Sequence, residues 1–179
     1  TSNPVLLLEA LRRNIDKLTV FCQQGRIAVP PRANPLFTYL ENAIVEVKSP
    51  HPEGVFHPKV WVLRYQEVEE RAVLYRLVCL SRNLTDNPSW DLSLMLEGPL
   101  VDRKNAFAVN HPLADFVAAL PGLAARGASA EAQERAKLMS DELRRVDFAS
   151  YLPEDVDGCA FWAFGIEGQW REFDYSASL

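Results

Sequence analysis

The sequence predicts an α/β domain in which helices flank a mixed β-sheet, and three observations support this fold class. The N-terminal part alternates helical and strand-like segments, which is the pattern of a β-α-β unit. Runs rich in strand-forming residues then follow one another with turn residues between them, which predicts an antiparallel meander. Beyond Gly98 the apolar residues recur at helical spacing. A meander joined to a β-α-β start implies a mixed sheet.

The first elements follow from capping and turn residues. Ser2-Asn3-Pro4 combines a helix cap with a proline in the first turn, and Leu18 to Cys22 is a β-branched, apolar run. Pro30-Pro31 and the Ser49 to Gly54 cluster are typical of loops. In chain order, the sequence predicts a helix over 4–16, a strand over 18–22, a helix over 35–42 and a strand over 44–47.

The later elements follow from period-two and helical patterns. The acidic Glu67 to Glu70 segment predicts an exposed hairpin tip, and Ser129 predicts the cap of a long helix. The predicted strands are Phe56 to Tyr65, Val73 to Ser81, Leu92 to Leu96 and Ala160 to Ile166, and the predicted helices are Pro112 to Leu120 and Ala130 to Val146.

Composition limits the class of protein. The chain has 179 residues, of which 48% are hydrophobic and 24% charged, which predicts one globular domain, residues 1–179, with a real core. A net charge of −5 argues against binding nucleic acid by bulk electrostatics, although a local basic groove is compatible with it. We find no bilayer-spanning run and no signal peptide, so we expect a cytoplasmic protein without a membrane partner.

Cysteine and histidine usage argues against a metal centre. Cys22, Cys79 and Cys159 are widely spaced and are expected to be buried thiols in a reducing compartment. With three histidines and neither a CxxC pair nor an HExxH run, the sequence offers little to bind zinc. We expect neither a metal nor another cofactor.

Five polar residues form the candidate site: His57, Lys59, Ser81, Asn83 and Asp91. On a strand, residues two apart share a face, so His57 and Lys59 are expected side by side. The same period pairs Ser81 with Asn83 where the next strand leaves into a loop. These residue types suit attack on a phosphodiester, because a neutral imidazole is a competent nucleophile and the neighbouring donors can hold phosphate oxygens.

The order of these residues resembles the signature of the phospholipase D superfamily, which is HxK, then Ser-x-Asn, then an acidic residue. Here it is His57-Pro58-Lys59, then Ser81-Arg82-Asn83-Leu84-Thr85, then Trp90-Asp91. The Ser-x-Asn-Leu-Thr form looks like the nuclease-like branch, and the resemblance covers about residues 17–100. It implies a metal-independent phosphodiesterase acting through a phosphohistidine at His57, with nucleic acid as the expected substrate.

The resemblance also implies a role for each site residue. Lys59 and Asn83 would hold the phosphate, Ser81 would lie nearby, and Asp91 would accept the far ring N–H of His57 and fix its orientation. The chain departs from the family pattern at Arg64, where the family has an aspartate, and at Leu80, where it commonly has a glycine. The spacing from His57 to Ser81 is also lengthened.

The family builds its site from two HxK elements, and this chain has one. His111-Pro112-Leu113 lacks the lysine. The second half is therefore expected either from a homodimer or from sequence beyond this chain, and the helix cap at the start favours a fragment of a two-half protein. Two other interpretations are a catalytically incomplete module that binds a phosphate backbone or a partner protein, and an accessory domain of a larger protein.

Overall fold

The computed structural model describes residues 4–27, 36–83 and 88–166, and these residues form an α/β structure. Short 3-10 turns follow or precede several of the helices. The helices are α1 (Pro4–Asn14), α2 (Leu36–Leu40), α3 (His111–Ala119) and α4 (Ala130–Leu143), and the strands are β1 (Val20–Gln23), β2 (Ile44–Val47), β3 (Val60–Gln66), β4 (Val73–Leu80) and β5 (Ser93–Pro99).

The chain divides into two compact units. The first unit comprises the described residues between 4 and 57 together with 120–133, and the second comprises the described residues of 58–119 and 134–166. The prediction of a single domain concerns the whole chain and stays a prediction.

The first unit is built on a parallel pair of strands. β1 pairs with β2 from Val20↔Ile44 to Gln23↔Val47. Val45 and Val47 point into a small core with Ala132 of the first turn of α4. Phe21 and Phe56 pack against this cluster. The parallel pair and the helix between its strands match the predicted β-α-β start.

The predicted mixed sheet is not what the described strands form. Hydrogen bonds join β1 to β2 in one sheet and β3 to β4 to β5 in another. At the edge of β2 that does not face β1, the Lys48 N–H donates to the Leu123 carbonyl and the Ala125 N–H donates to the Glu46 carbonyl, both at about the usual length. Segment 123–125 therefore occupies that edge of β2.

The start of α4 follows from local chemistry that the sequence had indicated. The Ala132 N–H donates to the Ser129 hydroxyl at 3.2 Å, which is the capping contact expected of a serine at this position. Gly127 just before it has φ +82°, a left-handed conformation that glycine adopts without strain. The predicted cap at Ser129 is therefore confirmed.

The second unit is built on an antiparallel meander. β3 pairs with β4 from Val60↔Cys79 to Gln66↔Val73, and β4 pairs with β5 from Leu74↔Pro99 to Leu80↔Ser93. The hairpin between β3 and β4 closes through a 2.9 Å hydrogen bond from the Glu67 N–H to the Ala72 carbonyl. The predicted meander and its acidic tip are confirmed.

Helices cover one face of this meander, which we call the covered face. Alternate residues of β4 and β5, Tyr75, Leu77 and Leu96, point into the core of the second unit. α3 and α4 supply the other side of that core, together with Val146 and Phe148 after α4. The opposite side, which carries Trp61, Tyr65, Leu74 and Met95, is substantially exposed, and we call it the open face.

The predicted strand over Ala160 to Ile166 is wrong, since this segment has no strand structure. Phe161 packs edge-on against Phe148 with ring centroids 6.0 Å apart. The segment then turns, with the Ile166 N–H near the Ala163 carbonyl and Gly165 at φ +85°. The apolar residues of this segment thus pack against the core without pairing in a sheet. A short apolar run has the same sequence pattern in either case, so the pattern does not distinguish a packing segment from a strand.

The three cysteines differ in burial. Cys22 and Cys159 are half-buried free thiols whose pKa is raised by burial, but Cys79 is exposed, so the prediction of three buried thiols is wrong.

Across 4–27, 36–83 and 88–166, every helix is too short or too polar to cross a bilayer. The predicted Ser2-Asn3 cap and Pro30-Pro31 loop lie outside the described residues.

Candidate functional site

The segments that carry four of the five candidate residues meet at one end of the antiparallel sheet. The Leu80 N–H donates to the Lys59 carbonyl at 2.9 Å, and the Ser81 N–H donates to the Leu92 carbonyl at 2.9 Å. These two hydrogen bonds extend the ladder beyond the ends of the strands. We call this end of the sheet, formed by Lys59, Ser81 and Leu92, the motif end.

The HxK element lies just before β3 rather than inside a strand. The sequence predicted a strand from Phe56, but residues 54–59 have no regular structure and β3 begins at Val60. Pro58 contributes to this, since proline has no N–H to donate to a ladder. His57 is exposed and belongs to the first unit, whereas Lys59 is half-buried and belongs to the second.

Ser81 has a structural contact that the sequence did not indicate. Its hydroxyl oxygen accepts the Leu92 N–H at 2.9 Å, while its own N–H donates to the Leu92 carbonyl. The side chain thus closes the β4–β5 pairing and keeps its hydroxyl proton for another acceptor. Asn83 is exposed in the loop that follows, and Leu84 and Thr85 of the motif lie outside the described residues.

Asp91 lies opposite Arg82 across the extended ladder. The Arg82 Nε atom is 3.6 Å from Asp91 Oδ1, with both side chains partly exposed. This ion pair gives Arg82 a structural role at the end of the sheet. The pairing follows from the β4–β5 register, which the sequence alone did not specify because it depends on the length of the intervening loop.

Register also determines which side of the sheet each residue is on. Lys59 precedes Trp61 by two residues, so the strand period assigns it to the open face. Ser81 follows Cys79 by two, so the same period assigns it to the covered face, beyond the reach of the helices. The structure therefore brings the backbones of Lys59 and Ser81 together and assigns their side chains to opposite sides.

Two tryptophans flank the motif end, and sequence reasoning did not assign either to the site. Trp61 is 44% exposed on the open face, so it is not a core residue. Trp90, directly before Asp91, is 100% exposed. A signal existed for Trp90, because it stands in the Pro88-Ser89-Trp90-Asp91 turn, outside every predicted strand and helix.

Arg64, which stands where the family has its aspartate, belongs to a buried polar cluster instead. Its guanidinium makes two hydrogen bonds to the Glu142 carboxylate, at 2.6 and 3.0 Å, and the Tyr75 hydroxyl donates to the same carboxylate at 2.6 Å. Burial raises the pKa of Glu142, but the hydrogen bonds from Arg64 and Tyr75 outweigh it and lower the pKa overall. The cluster ties β3 and β4 to α4.

Comparisons with known proteins give no relative from which to transfer a role. Protein-family models, curated proteins and solved structures were compared with this chain, and none matched significantly. Within the part of the chain that the structure describes, no three His, Cys, Asp or Glu side chains are grouped as they would be around a metal ion. The function is therefore argued from the motif end itself.

Proposed function

We propose that this chain contributes half of a phospholipase D-like active site that cleaves nucleic acid phosphodiesters through a phosphohistidine at His57. The observation that carries the proposal is the convergence of the segments bearing Lys59, Ser81 and Asp91 at one end of the β3-β4-β5 sheet. The backbone segments that carry the HxK, Ser-x-Asn and acidic elements of the resemblance, which are separate in the sequence, thereby adjoin one another.

The chemistry assigned to each residue follows from its donors and acceptors. The neutral imidazole of His57 attacks phosphorus and forms a P–N bond, and the P–O bond to the leaving strand breaks. Lys59 and Asn83 hold the non-bridging oxygens as charge moves among them. Water then displaces His57 from phosphorus. The Ser81 hydroxyl proton is available to the phosphate because its oxygen accepts rather than donates in the contact with Leu92.

A second HxK half completes the proposed reaction. The departing oxygen needs a proton, and general acid catalysis at such a position contributes typically about 10²–10⁴-fold. In the proposal a second histidine donates that proton, supplied by another copy of this chain or by sequence beyond it. The proposed site is therefore active only in an assembly that contains two such halves.

The alternative is a phospholipase D-like module that binds a phosphate backbone or a partner protein without cutting. One observation favours it: the Asp91 carboxylate lies against Arg82, and the Ser81 oxygen against the Leu92 amide, so both take part in holding the sheet end together. This module would bind oligonucleotides equally well with and without the His57 imidazole.

The deciding experiment measures cleavage of labelled single- and double-stranded DNA and of bis-nitrophenyl phosphate in EDTA, with mass recorded by light scattering. Wild type is compared with His57→Asn and with His51→Asn, which replaces an exposed histidine in the preceding loop. We expect a dimeric species to cleave, His57→Asn to reduce cleavage to background, and His51→Asn to cleave like wild type.

Two other results would change the assignment. Cleavage that persists in His57→Asn would contradict the phosphohistidine proposal, because no other histidine here has the HxK context. Binding without turnover in a dimer, unchanged by His57→Asn, would favour the non-cutting module.

A further inference from the structure

The strand β3 (Val60–Gln66) is an outer strand of the antiparallel sheet and pairs with β4 alone. At one end of this pair the Leu80 N–H donates to the Lys59 carbonyl. At the other end the Glu67 N–H donates to the Ala72 carbonyl. The odd-numbered residues of β3 therefore bond to β4, and the N–H and C=O groups of the even-numbered residues point outward. Among the residues that the structure describes, none forms a backbone hydrogen bond to this outer edge.

The outer edge of β3 lacks the features that usually keep edge strands from pairing. Such features are prolines, bulges and charged side chains along the edge. β3 contains no proline, and its register with β4 runs without a bulge from end to end. Its one charged side chain, Arg64, is held by Glu142. A largely apolar edge of seven residues is therefore a ready template for another strand.

The sequence of β3 is complementary to itself when two copies pair antiparallel about a two-fold axis at Leu63. This arrangement places Leu63 opposite the partner's Leu63, and Trp61 opposite the partner's Tyr65. Because the even-numbered residues form the hydrogen-bonded pairs, these odd-numbered residues form the other pairs, in which side chains come closest. Aromatic pairs of this kind stabilise a sheet. Trp61 and Tyr65 are each 44% exposed on the open face, so both rings have surface left to bury.

The charge on β3 favours the same register. With the axis at Leu63, Arg64 lies opposite the partner's Val62, and like charges do not face each other. With the axis one residue later, Arg64 would face the partner's Arg64, which is destabilising. With the axis one residue earlier, Trp61 would face the partner's Leu63 and the aromatic pair would be lost. Since both features come from the chain pairing with itself, they identify a second copy as the partner.

We propose that the outer edge of β3 pairs with β3 of a second copy, so that the two three-stranded sheets form one continuous antiparallel sheet. This contact is separate from the proposed phosphodiesterase site, because antiparallel pairing puts the two Lys59 residues about 27 Å apart along the strands. One strand from each copy covers less than the about 800 Å² per partner of a standard interface. We therefore expect association that increases with concentration in the micromolar range.

Disulfide trapping tests the register. Leu63→Cys is made in a Cys79→Ser background, which removes the exposed native thiol. In the proposed pair the two Cα atoms at position 63 are about 4.5 Å apart, which is within disulfide reach. We expect mild oxidation to give a covalent dimer. The matched control is Met95→Cys, on the same face of the other outer strand and 49% exposed, which is expected to stay a single chain on a denaturing gel.

Two further cysteine variants test the aromatic pair. Trp61→Cys mixed with Tyr65→Cys is expected to cross-link, because these positions face each other across the axis. Each variant alone is expected to stay a single chain, because its two copies lie about 13 Å apart along the strands.

Sedimentation tests the contact without a cross-link. The mass of the wild type is expected to reach at least twice the 20.2 kDa of one chain as its concentration rises from about 1 to 500 μM. Leu63→Lys puts like charges opposite each other at the axis, so we expect it to halve the mass of the assembly. Met95→Lys makes the same change on β5 and is expected to keep the mass of the wild type. Circular dichroism checks that both variants fold.

Several results would overturn the proposal. They are a wild type that keeps the mass of one chain throughout, Leu63→Cys that cross-links no faster than Met95→Cys, and a folded Leu63→Lys that keeps the mass of the wild type. Cross-linking of Trp61→Cys with itself would contradict the axis at Leu63. None of these measurements involves cleavage, so this contact and the phosphodiesterase proposal can each fail alone.

Discussion

The two ends of the β3-β4-β5 sheet differ although the same strands form both. At the hairpin end, alternate residues of β4 such as Tyr75 are buried under α3 and α4, and Arg64 and Glu142 form an ion pair there. At the motif end Cys79, on the same face, is exposed, as is Leu94 beside it. The helices cover only part of the face, so stability is concentrated at one end and the other end is left accessible.

The largest expected difference between the ends comes from their ion pairs. Glu142→Gln leaves the half-buried Arg64 cation without its carboxylate, and we expect it to lower the free energy of unfolding by roughly 3–5 kcal/mol. Asp91→Asn at the motif end should cost less than about 1 kcal/mol, because that pair is partly exposed and 3.6 Å long. Urea unfolding of both variants measures this. Equal losses would contradict the contrast.

Apolar truncation sharpens the same comparison. Leu77→Ala removes a side chain that is 5% exposed and leaves a cavity, so we expect a loss of about 2–5 kcal/mol. Leu94→Ala, on the same face but 42% exposed, should cost under about 1 kcal/mol. Thermal unfolding of the two variants gives the ratio. A larger loss for Leu94→Ala would show that something covers the motif end in solution.

Gly98 tests how closely the chain packs at the hairpin end. A Cβ at this position would lie 2.4 Å from the Asp147 carbonyl oxygen, and backbone cannot move aside as a flexible side chain does. We expect Gly98→Ala to destabilise by about 1–3 kcal/mol through overpacking. Gly122→Ala is the control, because nothing lies within 4 Å of its Cβ. Chemical denaturation that finds the two variants alike would refute the close approach.

Acid should weaken the Arg64–Glu142 ion pair at the hairpin end. The pKa of Glu142 is lowered in the folded protein, so its contribution is complete above the unfolded value near 4.5 and is lost as pH falls through the folded pKa. The stability difference between wild type and Glu142→Gln should therefore shrink as pH falls below about 4.5. Denaturation at a series of pH values measures it, and a difference that stays constant would contradict the lowered pKa.

Much of the secondary structure was predictable because its causes are local. The Ile44–Val47 strand was placed at its observed bounds, and the Ser129 cap and the acidic hairpin tip were located correctly. The strand predicted over 160–166 was wrong because a short apolar run has the same sequence pattern whether it pairs in a sheet or packs against a side chain such as Phe148. The hydrogen bonds of segment 123–125 to β2 join residues far apart in the chain, and a local pattern does not encode them.

The candidate site was also predicted only in part from the sequence. Residue types and spacing identified His57, Lys59, Ser81, Asn83 and Asp91 from the sequence. Their assignment to a phosphodiesterase stays a prediction.

By itself the sequence determined the α/β class, the meander and the residues of the motif, since propensity, capping and period act over a few neighbours. Only the tertiary structure decided that Arg82 faces Asp91, that Lys59 and Ser81 fall on opposite sides, and that Trp90 faces water. Each of these features depends on the strand register or on how far the helices extend over the sheet. Contacts between distant segments set the strand register and the part of the sheet that the helices cover. A register shift of one residue would move every side chain of a strand to the other side of the sheet.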